Sequence, residues 1–550
     1  MISRVTYYSG RSFFIQILFL LGFTLLIIKL IYLQVFQDEF IKEQVDSRTI
    51  LESSIPAKRG KILDRNDRLL ALDVKGYTVI ADLNLFKPSQ LEIDFLADSI
   101  EMEVNKIERI LKKKRGHVEI IRHIGEGKKR RLQNMNLKGI FFKQNLRRSY
   151  PQLEISSHVV GITDIDRKGI QGAELVFNKM LKGKNGVFSG IRSPIGIVDG
   201  ERNSAEEGLD LKLTIDIRLQ SLAYHELKKA VENSGAESGS IVIVNPKTAH
   251  ILSLTNYPSF NPSDRSDIKD LSVFRNRATI DVFEPGSVLK PLAMAAIVNS
   301  GKVDRNIKIN TSPGWIEYGG YKTSDFRDYG TLGLSDIISY SSNVGMVMLC
   351  KDQESKYLID FFSNFGLGSR PSNILIPSRE GFLPEASSLS NRDKVSSCYG
   401  YGISMSTLQI AQAFQVFANK GVFKELTLFY DEELTSPKPD FRVLSEDTTR
   451  FINNMMIETV NSKSGTARRA RIEGKKVAGK TGTAEKKKKN GKKSYSASFS
   501  GFVPANDPIL LGVIVLHGLT KEEHSGGTIA APIFSRVVGQ SLHTLETGSY

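Results

Sequence analysis

Three short clusters of polar residues contain the side chains that acyl-transfer chemistry needs. Ser287 and Lys290 form the first cluster, and their i, i+3 spacing puts a hydroxyl and an amine on one face of a helix. A serine hydroxyl is a weak nucleophile without a neighbouring base, and a lysine acts as that base only when burial leaves its amine neutral. The same spacing is typical of an N-cap serine followed by a surface lysine, so this cluster indicates catalysis only in combination with others.

The second cluster is Ser341 and Asn343, which follow a segment predicted to be helical over residues 334–340. Ser341 could relay a proton, and Asn343 could hold a substrate amide. A turn or a helix cap uses the same residue types, so this pair alone does not indicate a site.

The third cluster is Lys480-Thr481-Gly482-Thr483. Lys480 offers a positive charge and Thr481 a hydroxyl to a substrate carboxylate, and Gly482 lets a ligand approach the backbone closely. A neighbouring strand N–H could then complete an oxyanion hole.

A phosphate-loop pattern overlaps the third cluster, because residues 474–481 satisfy G-x-x-x-x-G-K-[ST]. That loop requires a buried strand before it and a helix after it. Residues 467–474 are too charged for a buried strand, and Asn490-Gly491 predicts a two-residue hairpin turn. The third cluster is therefore predicted to lie on an edge strand that runs into a hairpin.

An apolar segment near the N-terminus predicts the compartment. The 24 residues from Phe13 to Phe36, at about 1.5 Å each, can cross a hydrocarbon core of about 30 Å. Arg4 and Arg11 precede the segment, which favours a cytoplasmic N-terminus, and no small-residue cleavage motif follows it. We expect an uncleaved anchor, with residues 37–550 outside the cytoplasm.

The composition limits the possible functions. The 550-residue chain has 75 basic and 60 acidic residues, and its net charge of +15 would suit nucleic acid, an anionic membrane face or an anionic polymer. The sequence has no basic helix interleaved with aromatic residues, which argues against nucleic acid. Its two cysteines, Cys350 and Cys398, form neither a disulfide framework nor a zinc pattern, and the sequence does not show whether they pair.

Changes of pattern along the chain predict three parts. Residues 1–36 form a cytoplasmic stub and the transmembrane anchor, and residues 37–207 form a domain with short strands. A linker-like stretch ends near residue 208, and residues 208–550 mix helices with sheet. In that last part, strands are predicted at 211–215, 240–244 and 250–254, and a helix at 216–232.

In this order, S-x-x-K, S-x-N and K-T-G resemble the signature of penicillin-interacting serine enzymes. The joint match is far more specific than any one motif. The chain further resembles the class B penicillin-binding proteins, and within them the cell-division D,D-transpeptidases, from the anchor to about Gly539. The resemblance rests on the segments 59–66, 148–151, 158–161, 169–174, 281–287 and 341–345. Asp67 and Ala249 stand where this family usually has glycine, and residues 406–409 lack a proline common there, so local turn geometry is less certain at these places.

The resemblance implies an α+β fold. We expect a β-lactamase/transpeptidase-like domain at 208–550, with an antiparallel sheet flanked by helices and a helical subdomain. It would stand behind the membrane anchor and an elongated, β-rich pedestal domain at 37–207.

The resemblance also implies a role for each motif residue. Ser287 would be the nucleophile, Lys290 its base and Ser341 a proton relay, with the backbone N–H groups of Ser287 and Thr483 as the oxyanion hole. The residues implied to bind substrate are Asn343, Lys480, Thr481, Gly482 and Thr483.

The implied activity is cross-linking of peptidoglycan stem peptides during septal wall synthesis, through an acyl-enzyme and without a metal or organic cofactor. The implied partners are stem peptides with D-Ala-D-Ala ends, β-lactams as inhibitors, a membrane-embedded SEDS-type glycosyltransferase and other division proteins, but no nucleic acid. The protein would be a single-pass inner-membrane protein with its catalytic domain in the periplasm. An elongation-type transpeptidase and a hydrolase of the D-alanine carboxypeptidase or β-lactamase type remain alternatives, although the long pedestal and the anchor argue against a hydrolase.

Overall fold

The computed structural model describes residues 9–36, 50–112, 116–193, 196–266, 268–371, 373–374, 376–430, 439–487 and 493–548. They form two compact units. The first contains Met1–Lys58 and Gly183–Gly208, and the second contains Arg59–Lys182 and Leu209–Tyr550. The domain boundaries inferred from the sequence stay a prediction.

Helices and strands alternate irregularly along the chain, as expected of an α+β protein. The helices are α1 (Ser9–Ile31), α2 (Gln90–Ile100), α3 (Val104–Leu111), α4 (Glu126–Asn134), α5 (Ser157–Val160), α6 (Gly172–Val176), α7 (Asn178–Lys182), α8 (Ile217–Ser234), α9 (Arg277–Ile280), α10 (Lys290–Asn299), α11 (Leu334–Ser339), α12 (Asn343–Cys350), α13 (Ser355–Ser363), α14 (Asn391–Ser397), α15 (Thr407–Ala418), α16 (Glu446–Asn461) and α17 (Ala530–Thr547). The strands are β1 (Ile50–Ile55), β2 (Ile62–Leu63), β3 (Leu69–Asp82), β4 (His117–Ile124), β5 (Ile140–Ser149), β6 (Gly186–Ser193), β7 (Gly196–Asn203), β8 (Leu211–Lys212), β9 (Ser238–Asn245), β10 (His250–Tyr257), β11 (Lys308–Asn310), β12 (Trp315–Tyr318), β13 (Tyr321–Ser324), β14 (Thr331–Gly333), β15 (Val422–Phe423), β16 (Phe441–Arg442), β17 (Ala478–Lys487), β18 (Lys493–Val503) and β19 (Leu510–Leu519).

The first unit contains the apolar N-terminal helix α1 and a three-stranded antiparallel sheet. Residues Ser12–Gln34 have a mean hydropathy of 2.5 and none of that window is buried by protein, so this helix is long and apolar enough to cross a membrane. The sheet has the strand order β1-β6-β7.

The part of the second unit before residue 183 is held together by a buried ionic network. The guanidinium groups of Arg59 and Arg148 donate to the two carboxylate oxygens of Glu174, at 2.5 and 2.7 Å, and Arg148 and Arg167 also contact Asp73. Each charge therefore has an opposite partner, which offsets part of the cost of removing it from water. Arg59, Arg148 and Glu174 lie in three separate segments that carried the sequence resemblance, and the fold brings them together.

A short parallel pairing of β2 with β8 joins this part to the rest of the second unit. The carboxylate of Asp64, just after β2, accepts hydrogen bonds from the backbone N–H groups of Asn66 and Arg68, and from the N–H of Ile217 at 3.1 Å. Asp64 thus caps its own turn and the first residue of α8 with the same side chain.

The centre of the second unit is a five-stranded antiparallel sheet with the order β10-β9-β19-β18-β17. Successive side chains of a strand point to opposite faces. Ile241 and Ile243 of β9 pack in a cluster with α8 and α17, and Val242 and Val244 pack in a second cluster with α10 and α15. The sheet is therefore covered by helices on both faces, and the α+β prediction is confirmed.

The third polar cluster lies on β17, which is an edge strand of this sheet, as predicted. The hairpin turn predicted at Asn490-Gly491 lies outside the described residues. The helix that was expected to carry Ser287 and Lys290 on one face has two parts. It begins with a 3₁₀ turn at Gly286–Leu289 and becomes α-helical at Lys290.

Asp67 and Ala249, the two residues that replace glycine in the family pattern, both adopt the left-handed conformation, with φ of 62° and 59°. A side chain in this conformation costs roughly 1–2 kcal/mol. The chain therefore keeps the turns that a glycine would favour and accepts this local strain.

The approach of β17 to the turn that carries Ser287 depends on Gly482. A Cβ atom at residue 482 would lie 2.5 Å from Ser498 Oγ, 2.7 Å from Val288 Cγ2 and 2.8 Å from the carbonyl oxygen of Pro285. These separations are shorter than van der Waals contact, and one of the three atoms belongs to the backbone. Only glycine lets the strand and the turn pack this closely.

We therefore expect Gly482→Ala to force the strand and the turn apart and to lower the free energy of unfolding by about 1–3 kcal/mol, the usual cost of overpacking. Thermal unfolding of the purified protein measures this effect. Gly127→Ala is the matched control, because a Cβ at this helical position has no neighbour within 4 Å. Equal melting temperatures of wild type and Gly482→Ala would contradict the packing argument.

Candidate active site

The site is built around two buried lysine amines that contact one serine. Lys290 Nζ donates to the carbonyl oxygen of Ser341 at 2.5 Å and to Asn343 Oδ1 at 2.8 Å, and it lies 3.2 Å from Ser341 Oγ. Lys480 Nζ donates to the same Ser341 Oγ at 2.9 Å. The three sequence motifs, up to 193 residues apart (480 − 287), therefore meet in one site.

Both amines are buried away from water, and this burial lowers their pKa values. Burial is the main reason that the pKa of Lys290 lies well below its ordinary value, and the neighbouring Lys480 lowers it further, whereas Asp325 acts in the opposite direction. Burial also lowers the pKa of Lys480 to about 7. Desolvation disfavours a charged amine, and two nearby ammonium groups repel each other, so both effects favour the neutral form of Lys290, which has a lone pair.

The neutral amine can satisfy its neighbours and still act as a base. It has two N–H donors, which its two shortest contacts use, to the Ser341 carbonyl and to Asn343. The lone pair then remains to accept a proton. Because Ser341 Oγ accepts a hydrogen bond from Lys480, its own O–H proton is directed elsewhere, which suits a relay.

Ser341 owes its position to a sharp bend between two helices. Helix α11 ends at Ser339, Ser341 takes the left-handed conformation with φ of 63°, and Ser342 caps the next helix, α12, by accepting the N–H of Gly345. A non-glycine residue in this conformation is strained, and such strain is common at functional sites. The bend presents both the carbonyl and the hydroxyl of Ser341 to the lysines.

Asp325, which no motif singled out, holds the start of α12. Its carboxylate accepts hydrogen bonds from the Ser342 hydroxyl at 2.6 Å and from the backbone N–H groups of Asn343 and Val344 at 2.5 and 3.1 Å. A carboxylate at a helix N-terminus is also favoured by the helix dipole. Asp325 therefore fixes the residue whose side chain contacts Lys290.

Ser287 is half-buried in the 3₁₀ turn directly before Lys290, whose backbone N–H donates to the Ser287 carbonyl. The turn has close neighbours on two sides. The N–H of Gly286 donates to the carbonyl of Gly400 at 3.1 Å, and a Cβ at Gly286 would lie 3.1 Å from the Thr483 carbonyl oxygen. The nucleophile candidate is thus held against β17 at Thr483.

The hydroxyl groups of Thr481 and Thr483 have hydrogen-bond partners from one segment before β17 and one segment after it. Thr481 Oγ1 donates to Thr466 Oγ1 at 3.3 Å, and the N–H of Gly526 donates to Thr483 Oγ1 at 3.1 Å. Thr466 in turn donates to the Ser339 carbonyl at the end of α11. Sequence reasoning missed Asp325, Thr466 and Gly526, because each is a single residue in a loop without a recognisable spacing.

An open groove of about 560 Å³ adjoins the site at Asn343. Its charged lining is mixed, with the acidic residues Glu284, Asp393 and Glu485 and the basic residues Lys322 and Arg392. Arg392 stacks on Tyr321, with its guanidinium carbon 4.3 Å from the ring centre. Among the residues that the structure describes, there is no group of three or more His, Cys, Asp or Glu side chains that could hold a metal ion. The groove offers room for a peptide that continues past Asn343.

We expect Asp325→Asn to reduce acylation of Ser287 by a fluorescent penicillin, the ligand class that the resemblance implies, by about tenfold or more. The substitution weakens a set of charge-assisted hydrogen bonds worth about 1.5–3 kcal/mol, and the start of α12 then moves relative to Lys290. Time courses of gel fluorescence give the rate. Asp328→Asn, on the same loop but at an exposed position, is the control and should keep the wild-type rate. Unchanged labelling of Asp325→Asn would show that Asn343 does not need this support.

Comparison with known proteins identifies the family of the chain. Residues 239–539 match the family described as the penicillin binding protein transpeptidase domain, and residues 54–213 match the penicillin-binding protein dimerisation domain. A probable peptidoglycan D,D-transpeptidase of Pseudomonas aeruginosa, PbpC, is 33% identical over 533 residues, which cover 94% of this chain and 92% of that protein. FtsI, a peptidoglycan D,D-transpeptidase of Escherichia coli, is 31% identical over 538 residues, covering 96% and 90%.

A solved structure gives the same result for the fold. A peptidoglycan synthetase from Bifidobacterium adolescentis superposes with a TM-score of 0.71 over 90% of this chain and 97% of that one, at 24% identity. The matches cover the anchor-bearing N-terminal region, the dimerisation domain and the domain that holds the two lysines. The chain therefore belongs to the penicillin-binding protein transpeptidase family, in the class B branch.

Proposed function

We propose that the protein is a serine D,D-transpeptidase that cross-links peptidoglycan stem peptides through an acyl-enzyme on Ser287, and that β-lactams acylate the same residue. The observation that carries this proposal is the buried amine of Lys290. It lies one turn after Ser287, is hydrogen-bonded to the Ser341 carbonyl and to Asn343, and has a strongly lowered pKa. A neutral lysine beside a serine hydroxyl is a working nucleophile and base pair.

In the first half-reaction, Ser287 Oγ attacks the carbonyl carbon of the penultimate D-alanine and Lys290 takes the hydroxyl proton. The tetrahedral oxyanion is stabilised by the backbone N–H groups of Ser287 and Thr483, whose segments the structure holds together through Gly286. Ser341 passes a proton to the departing amine, and the terminal D-alanine leaves as the carbon–nitrogen bond breaks.

Substrate binding uses the other motif residues. The terminal carboxylate binds to Lys480 and the Thr481 hydroxyl, and a bound anion favours the protonated form of Lys480, whose pKa burial lowers to about 7. Asn343 holds an amide of the donor peptide through its side chain. The rest of the donor continues into the groove that begins at Asn343.

In the second half-reaction, the amine of another stem peptide attacks the ester, which forms the cross-link and returns the proton to Ser287 Oγ. The names of the relatives, which include FtsI and PbpC, support a transpeptidase rather than a hydrolase. The FtsI resemblance further supports a septal role, in which the chain works with a SEDS-type glycosyltransferase and other division proteins. Depletion of the protein tests this role, because loss of septa without loss of elongation is the expected phenotype and spherical cells would contradict it.

The catalytic domain is proposed to lie in the periplasm, behind the apolar helix α1. The disulfide between Cys350 and Cys398 supports this placement, because disulfides persist mainly in oxidising compartments. The sequence supports the same orientation through the basic residues before the helix.

We expect Ser287→Ala to abolish covalent labelling by penicillin and formation of cross-linked peptide, while the melting temperature stays near that of wild type. Intact-protein mass after incubation with penicillin, followed by peptide mapping, locates the adduct. Ser300→Ala, just after the same helix α10, is the matched control and should be acylated normally. An adduct that persists in Ser287→Ala would place the nucleophile elsewhere.

The acylation rate with an anionic penicillin should depend on pH in a bell shape. Acid protonates Lys290 and removes the base, so the rate falls as the pH decreases through the pKa of this amine. Above about pH 7, the empty-site Lys480 loses its charge and captures the carboxylate less well, so the rate falls again. A penicillin ester without the negative charge is the control. It should keep the acid limb and lose the alkaline limb, and a flat profile with the free acid would contradict both assignments.

A further inference from the structure

A chain of contacts leads from the catalytic amine along helix α12. Asn343, the first residue of α12, accepts a hydrogen bond from Lys290 Nζ at 2.8 Å. The last residue of the same helix is Cys350, which forms a disulfide with Cys398. Both cysteines are fully buried, so the bond lies inside the protein core. Helix α12 is thus held at one end by hydrogen bonds around the active site and at the other end by a covalent bond.

A second contact joins the same two elements. Lys394 of α14 is buried and donates to the carbonyl oxygens of Lys351 and Gln353 at 2.7 and 3.0 Å, directly after the end of α12. A cation at a helix C-terminus interacts favourably with the helix dipole. Helix α14 leads into Cys398, so the disulfide and Lys394 act between the same two segments.

The chain that follows Cys398 returns to the nucleophile. The carbonyl of Gly400 accepts the N–H of Gly286, the residue before Ser287, at 3.1 Å, and the N–H of Gly402 donates to Glu284 Oε1 at 2.9 Å. A Cβ at Gly400 would lie 2.1 Å from the Gly286 carbonyl oxygen, so this contact has no room for a side chain. The two hydrogen bonds fix the segment 284–286 to the segment 398–402.

These links close a ring around the catalytic amine. It runs from Ser287 through Lys290 to Asn343, along α12 to Cys350, across the disulfide to Cys398, and through Gly400 back to the residue before Ser287. The covalent bond in this ring is the only one of its links that depends on an oxidant. It therefore determines whether the two sides of the site, the nucleophile turn and the bend at Ser341, are tied together covalently.

We propose that the Cys350–Cys398 disulfide is a positioning element of the transpeptidase site, which sets α12 and its Asn343 against Lys290 and couples them to the turn of Ser287. This inference rests on the proposed function, because it concerns the geometry of the acylation step. Cys350 and Cys398 do not touch the reacting atoms and act through Asn343 and Gly286. The enzyme reaches full acylation rate only after the thiol pair is oxidised by exchange with a second disulfide, which takes up the two electrons and two protons and becomes two thiols.

Loss of the disulfide should change the pH dependence of acylation as well as its rate. Without the disulfide, α12 is less firmly held, and water reaches the space around Lys290. The charged groups that act on Lys290 are Lys480 from β17 and Asp325 after β13, and neither is changed by loss of the bond. The desolvation that lowers the pKa of Lys290 is therefore the quantity that weakens, its pKa rises, and more of the amine is protonated at neutral pH. The acid limb of the acylation profile then moves to higher pH.

The test compares the oxidised wild type, the same protein reduced with a phosphine, and the double variant Cys350→Ala/Cys398→Ala. Reduction adds two electrons and two protons to the sulfur pair while the phosphine becomes its oxide, and the gain of two hydrogens is checked by intact-protein mass. We expect the second-order acylation constant with penicillin to fall about tenfold in both the reduced and the variant protein, with the acid limb shifted to higher pH. Penicillin labelling is measured well below the melting temperature of each form.

The double variant also controls for other effects of the phosphine, because it has no disulfide to reduce. Its acylation constant should be the same with and without the phosphine. Lower thermal stability with an unchanged acylation rate and pH profile would mean that the bond only stabilises the fold, and this would overturn the proposal. Equal rates in the oxidised and reduced wild type would also overturn it. If instead the oxidised wild type is not labelled at Ser287, the proposed function itself fails, so the two failures are distinguishable.

Discussion

The proposed chemistry of the site depends on the burial of one lysine amine, that of Lys290. Lys290 is fully buried, and its nearest polar neighbours are an uncharged carbonyl and an uncharged amide rather than a carboxylate. A carboxylate in direct contact would stabilise the ammonium form and remove the base. Asp325 is the acidic group that acts on this amine, but its oxygens are occupied by Ser342 and by backbone N–H groups. The site thus uses a negative charge to fix a helix without neutralising the effect of burial on the base.

The second lysine has a different task in the same space. Lys480 comes from the edge strand β17 and contacts the hydroxyl that also lies near Lys290. Its pKa of about 7 means that Lys480 carries only part of a full positive charge at neutral pH. In the proposed function, an anionic ligand would change this balance by stabilising the protonated form of Lys480. Substrate binding and the protonation of the site would then be coupled.

The fold brings the amines of Lys290 and Lys480 to the same serine hydroxyl. The sheet buries one face against α8 and α17 and the other against α10 and α15, and its edge strand β17 packs against the turn that carries Ser287. Gly482 and Gly286 remove the side chains that would separate the strand from the nucleophile turn. A larger residue at either position would push β17 away from the turn that carries Ser287.

The motif residues and the edge strand could be predicted from the sequence because their spacing and alternation are local signals. A helical segment around Ser287 and Lys290 could be predicted as well, but its opening 3₁₀ turn could not, since a 3₁₀ turn and an α-helix have similar local sequence patterns. Asp325, Thr466 and the Cys350–Cys398 bond could not be predicted, because each depends on two segments meeting in space. The left-handed conformations of Asp67 and Ala249 could not be predicted from local sequence either. The surrounding fold determines these two turns, and the intrinsic preference of the residue does not.

The most direct test of this account is the charge state of Lys290 itself. Nuclear magnetic resonance of protein with isotope-labelled lysine side chains can follow each amine through a pH titration, with Lys290→Met and Lys480→Met variants to assign the two buried signals. We expect the pKa of the Lys290 amine to lie well below that of an ordinary lysine, and Lys480 to titrate near 7 in the absence of an anionic ligand. A Lys290 signal that stays that of an ammonium group well into alkaline pH would contradict it.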